Sequence, residues 1–152
     1  MIFQIQQFSN NQKDELKALM TALYNEDPYG APINEHKMNN TIQFLVSNPC
    51  YGQILVLVFE NMIVGYAILI RYWSNEYGGL LLHLDELYVK GKHRGQKLGT
   101  QLIAYLIENF KKEFKGIVLE VHPSNKKAYS FYHKLVFLNN DNILMKYIWE
   151  NA

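Results

Sequence analysis

A glycine-rich basic loop lies between a strand-like run and an amphipathic helical pattern, and this placement constrains the fold more than any other feature of the sequence. The run covers residues 80–89, the helical pattern covers residues 98–114, and Gly91, Gly95 and Gly99 lie at their junction. Glycine permits positive φ, and a helix that begins at such a loop presents backbone N–H groups without intrahelical partners. The segment therefore predicts a strand–loop–helix unit that can hold an anion such as phosphate.

Basic side chains surround the same loop. Lys92, His93, Arg94 and Lys97 would add positive charge beside the predicted anion site. An ordinary tight turn with solvated basic residues would have the same composition, because Gly and Lys are common in turns. The loop alone leaves both interpretations open.

The composition predicts one soluble globular domain over residues 1–152. Hydrophobic residues make up 49% of the chain, and a formal charge of +1 gives no general attraction to nucleic acid or to an anionic membrane. Cys50 is the single cysteine and no zinc-ligand spacing is present, so neither a disulfide nor a metal is expected. The chain has no apolar run of about 18 residues and no basic, apolar start, so we expect a cytoplasmic location.

Hydrophobic periodicity and turn-forming residues predict elements in the order β-α-α-β-β-β-α-β-α-β. These are a strand over 2–8, a helix from Ser9 or Asn10 to Asp27, a helix over 34–47, strands over 53–59, 63–73 and 80–89, a helix over 97–114 closed by Gly116, a strand over 117–121, a helix over 125–135 and a strand over 142–149. The strand over 117–121 follows a helical crossover, so it should run parallel to its neighbour. The order predicts an α/β fold with a mixed, mostly antiparallel sheet flanked by helices.

The predicted topology places the basic loop beside the strand over 117–121. Ligands of open sheets favour the crevice at the carboxyl ends of parallel strands. Where two such strands diverge, their free backbone groups can pair with an extended ligand as if it were an added strand. A pantetheine arm, which carries amides and ends near a pyrophosphate, suits such a crevice.

Two separated motifs resemble those of the GNAT acyltransferase superfamily, and they occur in the family's order and spacing. Residues 84–103, LDELYVKGKHRGQKLGTQLI, look like the strand, pyrophosphate loop and helix that bind coenzyme A (CoA), and residues 125–137, NKKAYSFYHKLVF, look like the family's second motif. The resemblance covers residues 52–148. Lys97 and Val136 depart from it, because each occupies a position where the family usually has glycine.

The resemblance implies a GNAT-like N-acetyltransferase that uses acetyl-CoA as cosubstrate. It assigns the pyrophosphate to backbone amides across Arg94–Thr100 and the pantetheine arm to the strand before them. The implied cofactor-binding residues are Leu87, Tyr88, Val89, Arg94, Gly95, Gln96, Lys97, Leu98, Gly99, Thr100 and Asn125. Tyr132 matches the tyrosine that points at the thioester sulfur, where it would act as general acid; its alternative role is a core aromatic at helical spacing.

The base that deprotonates the acceptor amine has several candidates. Asp85 is the first choice and Glu86 a close second, because adjacent carboxylates in a partly buried strand can push one pKa upward. An ordinary ion pair is the alternative for both. For His83 and Glu120 a structural role is favoured over a catalytic one.

Strand alternation predicts which of these side chains face the same way. His83 and Asp85 should lie on one face, and Glu86 on the other with Leu84 and Tyr88, unless a bulge shifts the phase.

By the same resemblance, the acceptor should be recognised by the N-terminal helices and the β-hairpin. The aromatic and acidic residues there are Tyr24, Glu26, Asp27, Tyr29, Tyr72, Trp73, Glu76 and Tyr77. Carboxylates and aromatic faces both attract ammonium groups, so a small primary amine such as a polyamine is the favoured small-molecule partner. An aminoglycoside-like compound and a protein lysine or N-terminus come next. The same aromatic residues could instead cover a homodimer interface.

A protein that binds or senses acyl-CoA without turnover is the alternative from another functional class. The departures at Lys97 and Val136 motivate it, whereas the intact Tyr132 argues against it. A nucleotide or nucleic-acid binder is disfavoured, because the loop lacks the Lys-Ser/Thr pair of a nucleotide loop and the charge is near neutral.

Overall fold

The fold is described from a computed structural model, which describes residues 3–27 and 30–149. The strands are β1 (Gln4–Gln7), β2 (Gly52–Phe59), β3 (Met62–Ser74), β4 (Gly79–Val89) and β5 (Phe114–Val118). The helices are α1 (Lys13–Glu26), α2 (Glu35–Ser47), α3 (Leu98–Phe110) and α4 (Lys126–Lys134). The chain divides into two compact units, residues 1–120 with the sheet and α1 to α3, and residues 121–152 with α4.

The strands form a single sheet in the order β1-β2-β3-β4-β5. Neighbours pair antiparallel from β1 to β4, whereas β5 pairs parallel to β4 after the crossover through α3. A two-residue turn joins β2 to β3, and Glu60 and Asn61 both have positive φ in it, as such a hairpin turn requires. The predicted α/β class and the mixed, mostly antiparallel sheet are confirmed.

Alternating residues of the central strands bury both faces of the sheet. On one face, Ile54 and Val56 of β2 join Tyr66 and Ile68 of β3 in a cluster with α1 and α2. The two helices contribute Leu16, Leu19, Met20, Met38, Ile42 and Leu45. The intervening strand residues, such as Leu57, are also buried, and so are Leu98, Leu102, Ile103 and Leu106 of α3. The last turn of α1 therefore ends near the sheet face that carries Tyr66.

The third helix ends before the residue that its sequence pattern predicts. It stops at Phe110, and Phe114 opens β5 instead of closing the helix. Phe114 is buried and packs edge-on against Phe110, with 5.7 Å between the ring centroids. In the turn between them, Glu113 pairs with Arg71 of β3 at 2.7 Å. These long-range contacts outweigh local helix propensity at the end of the pattern.

The predicted strand over 117–121 and the predicted stop at Gly116 were consequently wrong in their bounds. Gly116 lies inside β5, where it pairs with Leu81 of β4. The predicted parallel pairing of this strand with its neighbour is confirmed.

The predicted final strand over 142–149 was wrong. These residues have no regular secondary structure, and their large apolar side chains are exposed. An apolar run forms a strand only where a neighbouring strand completes its hydrogen bonds, and no described residue pairs with this segment. The first strand is shorter than predicted, and residue 2 of that prediction lies outside the described residues.

Candidate active site

A β-bulge in β4 decides which side chains face α1. Ile68 of β3 pairs with Glu86 and Leu69 pairs with Leu84, so Asp85 is an extra residue between the two pairs. Because residues paired across antiparallel strands share a face, Glu86 lies on the face of Ile68 and Leu84 lies on the opposite face. The prediction that Glu86 and Leu84 share a face was wrong, because the bulge shifts the alternation by one residue.

The same shift separates the two candidate bases. Asp85 is exposed, whereas Glu86 is partly buried. His83 pairs with Ile70, which alternates with Ile68, so His83 lies on the face of Glu86 and not opposite it.

The carboxylate of Glu86 accepts one hydrogen bond on each oxygen. The phenol of Tyr24, in the last turn of α1, donates to Oε1 at 2.8 Å. The phenol of Tyr66, which is fully buried in β3, donates to Oε2 at 2.7 Å. None of the ion pairs among the described residues includes Glu86. A partly buried carboxylate is thus held by neutral donors without a cation.

The surroundings of Glu86 act on its proton affinity in opposite directions. Burial raises the pKa of Glu86, the charge of Asp85 adds to this increase, and the two phenol hydrogen bonds oppose it. Burial and the charge of Glu86 also raise the pKa of Tyr24 and of Tyr66 far above the ordinary value. Both phenols therefore stay protonated and remain donors.

A second carboxylate, that of Glu26, lies two residues after Tyr24 in α1 and has a cationic partner. The phenol of Tyr88 donates to Oε1 of Glu26 at 2.6 Å, and the guanidinium of Arg94 donates to Oε2 at 2.6 Å. Arg94 also donates through Nε to the carbonyl of Val89 at 2.7 Å, and it lies over the Tyr88 ring, 5.3 Å from its centroid. The hydrogen bond from Tyr88 and the charge and hydrogen bond of Arg94 lower the pKa of Glu26.

The basic loop between β4 and α3 contains two left-handed residues. Gly95 has φ 77° and Lys97, immediately before α3, has φ 63°. Of the three glycines expected to permit positive φ, only Gly95 adopts it; Gly91 and Gly99 do not. The departure from glycine at Lys97 therefore falls where a side chain is strained, at a typical cost of about 1–2 kcal/mol.

Backbone N–H groups of this loop are left without partners. Within the described ranges, no oxygen accepts a hydrogen bond from the amides of residues 95–100. The amide of Arg94 differs, because it bonds to the carbonyl of Gly91 at 3.1 Å. Leu98 buries its side chain, and Lys97 extends its own into solvent. An anion at this helix start would thus meet backbone N–H groups, as predicted for the loop, but not that of Arg94.

The end of β4 has an open edge on the side of β5. Pairing with β5 stops at His83, so among the described residues no strand pairs with residues 84–89 on that side. The amide of Lys90 bonds to Val64 of β3. By alternation, the backbone groups of Tyr88 also point to β3, whereas those of Leu87 and Val89 point to the open edge. Tyr88 thus contributes its side chain to the Glu26 network and not its backbone to the open edge.

The second unit contains the two remaining predicted site residues. Asn125 caps α4, because its Oδ1 accepts from the amide of Ala128 at 3.1 Å. Tyr132 packs edge-on against Phe131 and Phe137, and burial raises the pKa of Tyr132 to about 12. Its phenol is therefore protonated near neutral pH.

The other predicted residues lie at the surface. Glu120 is exposed and follows the end of β5. Tyr72, Trp73 and Tyr77 are exposed at the tip of the β3–β4 hairpin. Tyr29 lies outside the described residues.

Sequence reasoning missed Tyr66 and gave Tyr24 a different role. Tyr24 was predicted to line the acceptor site, but its phenol bonds to Glu86. Tyr66 lies in an apolar strand pattern, where a buried phenol requires a hydrogen-bond partner. The available signal was Glu86, a carboxylate on the neighbouring strand. Simple strand alternation does not place Glu86 on the face of Tyr66, because the bulge at Asp85 shifts it.

Comparison with known proteins identifies the family. The model of the acetyltransferase (GNAT) family matches residues 16–137, so the chain belongs to that family. No curated protein matches the chain.

Solved structures resemble it over nearly its whole length. A possible acetyltransferase from Clostridium difficile 630 has a TM-score of 0.87 at 18% identity and covers 99% of this chain and 100% of its own. An aminoglycoside acetyltransferase from an uncultured soil metagenomic sample, in complex with sisomicin, has a TM-score of 0.73 at 17% identity. The match covers 98% of this chain and 97% of that protein. A ribosomal-protein-alanine N-acetyltransferase from Brucella melitensis biovar Abortus 2308 has a TM-score of 0.76 at 15% identity and covers 96% and 100%. At these identities the likeness shows the fold.

Two further properties bear on possible partners. Every helix within the described ranges is too short or too polar to span a lipid bilayer. The described side chains include no group of three or more His, Cys, Asp or Glu that could hold a metal ion.

Proposed function

We propose that the protein transfers an acetyl group from acetyl-CoA to a primary amine, with a small cationic amine as the favoured acceptor and Glu86 as the general base. The observation that carries this proposal is the Glu86 carboxylate, which is partly buried, lacks a cation and is held by two phenols. Asp85, the first choice from sequence, is exposed at the bulge. The order of preference between the two carboxylates is therefore reversed.

Acetyl transfer requires a neutral amine, and this is the task proposed for Glu86. An alkylammonium ion must lose a proton before its nitrogen can form a bond to the acetyl carbon. A carboxylate whose pKa is raised by burial is a stronger base than an exposed one, and it can accept that proton. The bond between the acetyl carbon and sulfur then breaks, and the thiolate requires a proton.

Tyr132 is the proposed donor of that last proton, on the basis of the motif over 125–137. A phenol with a raised pKa is protonated near neutral pH and has a proton to give. The role of Asn125 toward CoA stays a prediction from the same motif. Its side-chain oxygen caps α4, which leaves the amide NH₂ as the available group.

The residues proposed to hold acetyl-CoA are the loop and the open edge of β4. The unpartnered amides of residues 95–100 fit a pyrophosphate. The backbone groups of Leu87 and the amide of Val89 at the open edge fit the amides of pantetheine, whereas the Val89 carbonyl already accepts from Arg94. Acetyl-CoA would supply the activated thioester. Holding thioester and amine in attack geometry is worth up to about 7–11 kcal/mol in well-aligned cases.

The charge of the site supports a cationic acceptor. Glu86 and Asp85 are consecutive carboxylates, and neither forms an ion pair with a described residue, whereas Arg94 pairs with Glu26. The similar soil-metagenome enzyme is named for aminoglycosides, which are polycationic amines. Homodimer formation and a cytoplasmic location remain predictions.

The direct test is thiol release from acetyl-CoA across a panel of amines. The panel contains polyamines, an aminoglycoside, a lysine peptide and a peptide with a free N-terminal alanine, with acetyl-CoA alone as the control for hydrolysis. Release that depends on a small polyamine or aminoglycoside supports the proposal. If CoA binds with micromolar affinity but no amine releases thiol, the protein is a binding module and the proposal fails.

A further inference from the structure

Two phenol–carboxylate hydrogen bonds connect the last turn of α1 to β4, and they run in opposite directions. Tyr24 of the helix donates to Glu86 of the strand, and Tyr88 of the strand donates to Glu26 of the helix. Only the Glu86 carboxylate has a second phenol, that of Tyr66. The two donors of Glu86 belong to different elements, because Tyr66 lies in β3 and Tyr24 lies in α1.

The arrangement favours the ionised form of Glu86. Each carboxylate oxygen accepts from a phenol that stays protonated, and a hydrogen bond to an anion is stronger than one to a neutral group. If Glu86 were protonated, one oxygen would become a donor, and its phenol would have to turn its own O–H away. Loss of either phenol removes one of the two hydrogen bonds that oppose the effect of burial on the pKa of Glu86.

We propose that Tyr24 and Tyr66 are positioning residues that hold the Glu86 carboxylate oriented and ionised, and that Tyr24 makes this hold depend on the position of α1. The consequence for turnover rests on the proposed function, whereas the effect on the titration of Glu86 does not.

The placement of Tyr24 explains the dependence on α1. Leu16 and Met20 are buried at four-residue spacing, and Tyr24 continues the same helix face to the sheet. The helix ends at Glu26, before the connection to α2. A movement of this last turn would change the distance between the Tyr24 phenol and Glu86. The groups that act on Glu86 are Tyr24 of α1, Tyr66 of β3 and Asp85 of β4.

The test follows the titration of the Glu86 carboxyl carbon by NMR in protein labelled at the glutamate carboxyl carbons. The Glu86→Gln variant assigns the resonance, because it removes that signal alone. Tyr24→Phe deletes one hydroxyl at a partly exposed position, and Tyr66→Phe deletes the other at a buried one. Tyr105→Phe in α3 is the matched control, because its phenol makes no hydrogen bond with a described residue.

We expect the Glu86 midpoint to move to higher pH in Tyr24→Phe and in Tyr66→Phe, and to stay unchanged in Tyr105→Phe. An unchanged midpoint in Tyr24→Phe overturns the proposal, whatever the activity of the protein. If the midpoint moves but no amine is acetylated, the positioning role stands and the proposed function fails.

Where turnover is present, the acid side of the kcat/KM profile should fall about tenfold in Tyr24→Phe, as expected for one charge-assisted hydrogen bond. The alkaline plateau should change by less than about threefold, because Glu86 is ionised there with or without the phenol. A uniform loss at every pH would indicate a purely structural role and would contradict the proposal.

Discussion

Glu86 and Glu26 each accept a hydrogen bond from a tyrosine across the contact between α1 and β4. Tyr24 of α1 donates to Glu86 of β4, and Tyr88 of β4 donates to Glu26 of α1. Their environments shift their pKa values in opposite directions. Burial without a cation raises the pKa of Glu86, whereas the hydrogen bond from Tyr88 and the Arg94 guanidinium lower that of Glu26. The same contact thus accompanies a raised pKa in one place and a lowered pKa in the other.

The difference shows that the hydrogen bond alone does not define the role of a carboxylate. Glu26 is paired with Arg94 in the basic loop between β4 and α3, and its exposed side chain joins that loop to α1. Glu86 lacks such a partner and can exchange a proton. Glu26 therefore ties the basic loop to α1, whereas Glu86 is the carboxylate that we propose as the base.

The largest expected effect comes from Glu86→Gln. This variant keeps the size of the side chain but cannot accept a proton, so kcat should fall about 10²- to 10⁴-fold while the affinity for CoA stays within about twofold. Single-turnover kinetics and CoA titration measure the two quantities. Asp85→Asn is the matched control and should change kcat by less than about threefold. Equal losses in both variants would remove the distinction between the adjacent carboxylates.

Glu26→Gln should act on cofactor binding and not on chemistry. Without the carboxylate charge, Arg94 is held less firmly, so KM for acetyl-CoA should rise about three- to tenfold with kcat nearly unchanged. Glu35→Gln is the control, because Glu35 also pairs with a basic residue, Lys17, far along the sequence from the loop. A fall in kcat with unchanged KM would mean that Glu26 takes part in the reaction.

The pH dependence of stability should have opposite signs for the two sites. The pKa of folded Glu86 exceeds its unfolded value near 4.5, so its stabilising contribution is present below that value and is lost as pH rises through the folded-state pKa. The pKa of folded Glu26 is lowered, so its contribution is present above the unfolded value and is lost as pH falls through the folded-state pKa. Relative to the wild type, Glu86→Gln should gain stability as pH rises and Glu26→Gln should lose it. Urea unfolding over a pH series measures both, and curves of equal sign would refute the contrast.

Lys97→Gly gives the smallest expected change. It tests the backbone strain at Lys97 separately from the ion pair between Arg94 and Glu26. Glycine adopts φ 63° without strain, so the variant should be about 0.5–1 kcal/mol more stable, with both carboxylate networks unaffected. Lys112→Gly, at an exposed turn residue without positive φ, should be destabilised instead. Thermal unfolding compares the two. A destabilised Lys97→Gly would show that its side chain contributes more than the strain costs.

The sequence predicts most of the sheet and the loop between β4 and α3 because both depend on local patterns. The apolar runs of β2, β3 and β4 and the glycine-rich turn before α3 are visible in short windows. Val136, the second departure from glycine, also falls at a left-handed position, with φ 66°. Both departures from glycine therefore fall at left-handed positions.

The arrangement around Glu86 could not be predicted from local patterns. The bulge at Asp85 depends on the register between β3 and β4, and one shifted residue exchanges the faces of everything beyond it. The contact between Tyr24 and Glu86 joins residues from distant parts of the chain, and so does that between Arg94 and Glu26. The early end of α3 likewise depends on the packing of Phe114 and not on its own sequence window.

The most direct measurement is the pH dependence of kcat/KM in the wild type and in Glu86→Gln, with the best acceptor of the amine panel. The wild type should show an acid limb that reports deprotonation of Glu86, at a pH above the ordinary glutamate range because burial raises the pKa of this carboxyl. The Glu86→Gln profile should lack that limb and retain only the residual rate. An identical acid limb in both proteins would contradict the assignment of Glu86 as the base.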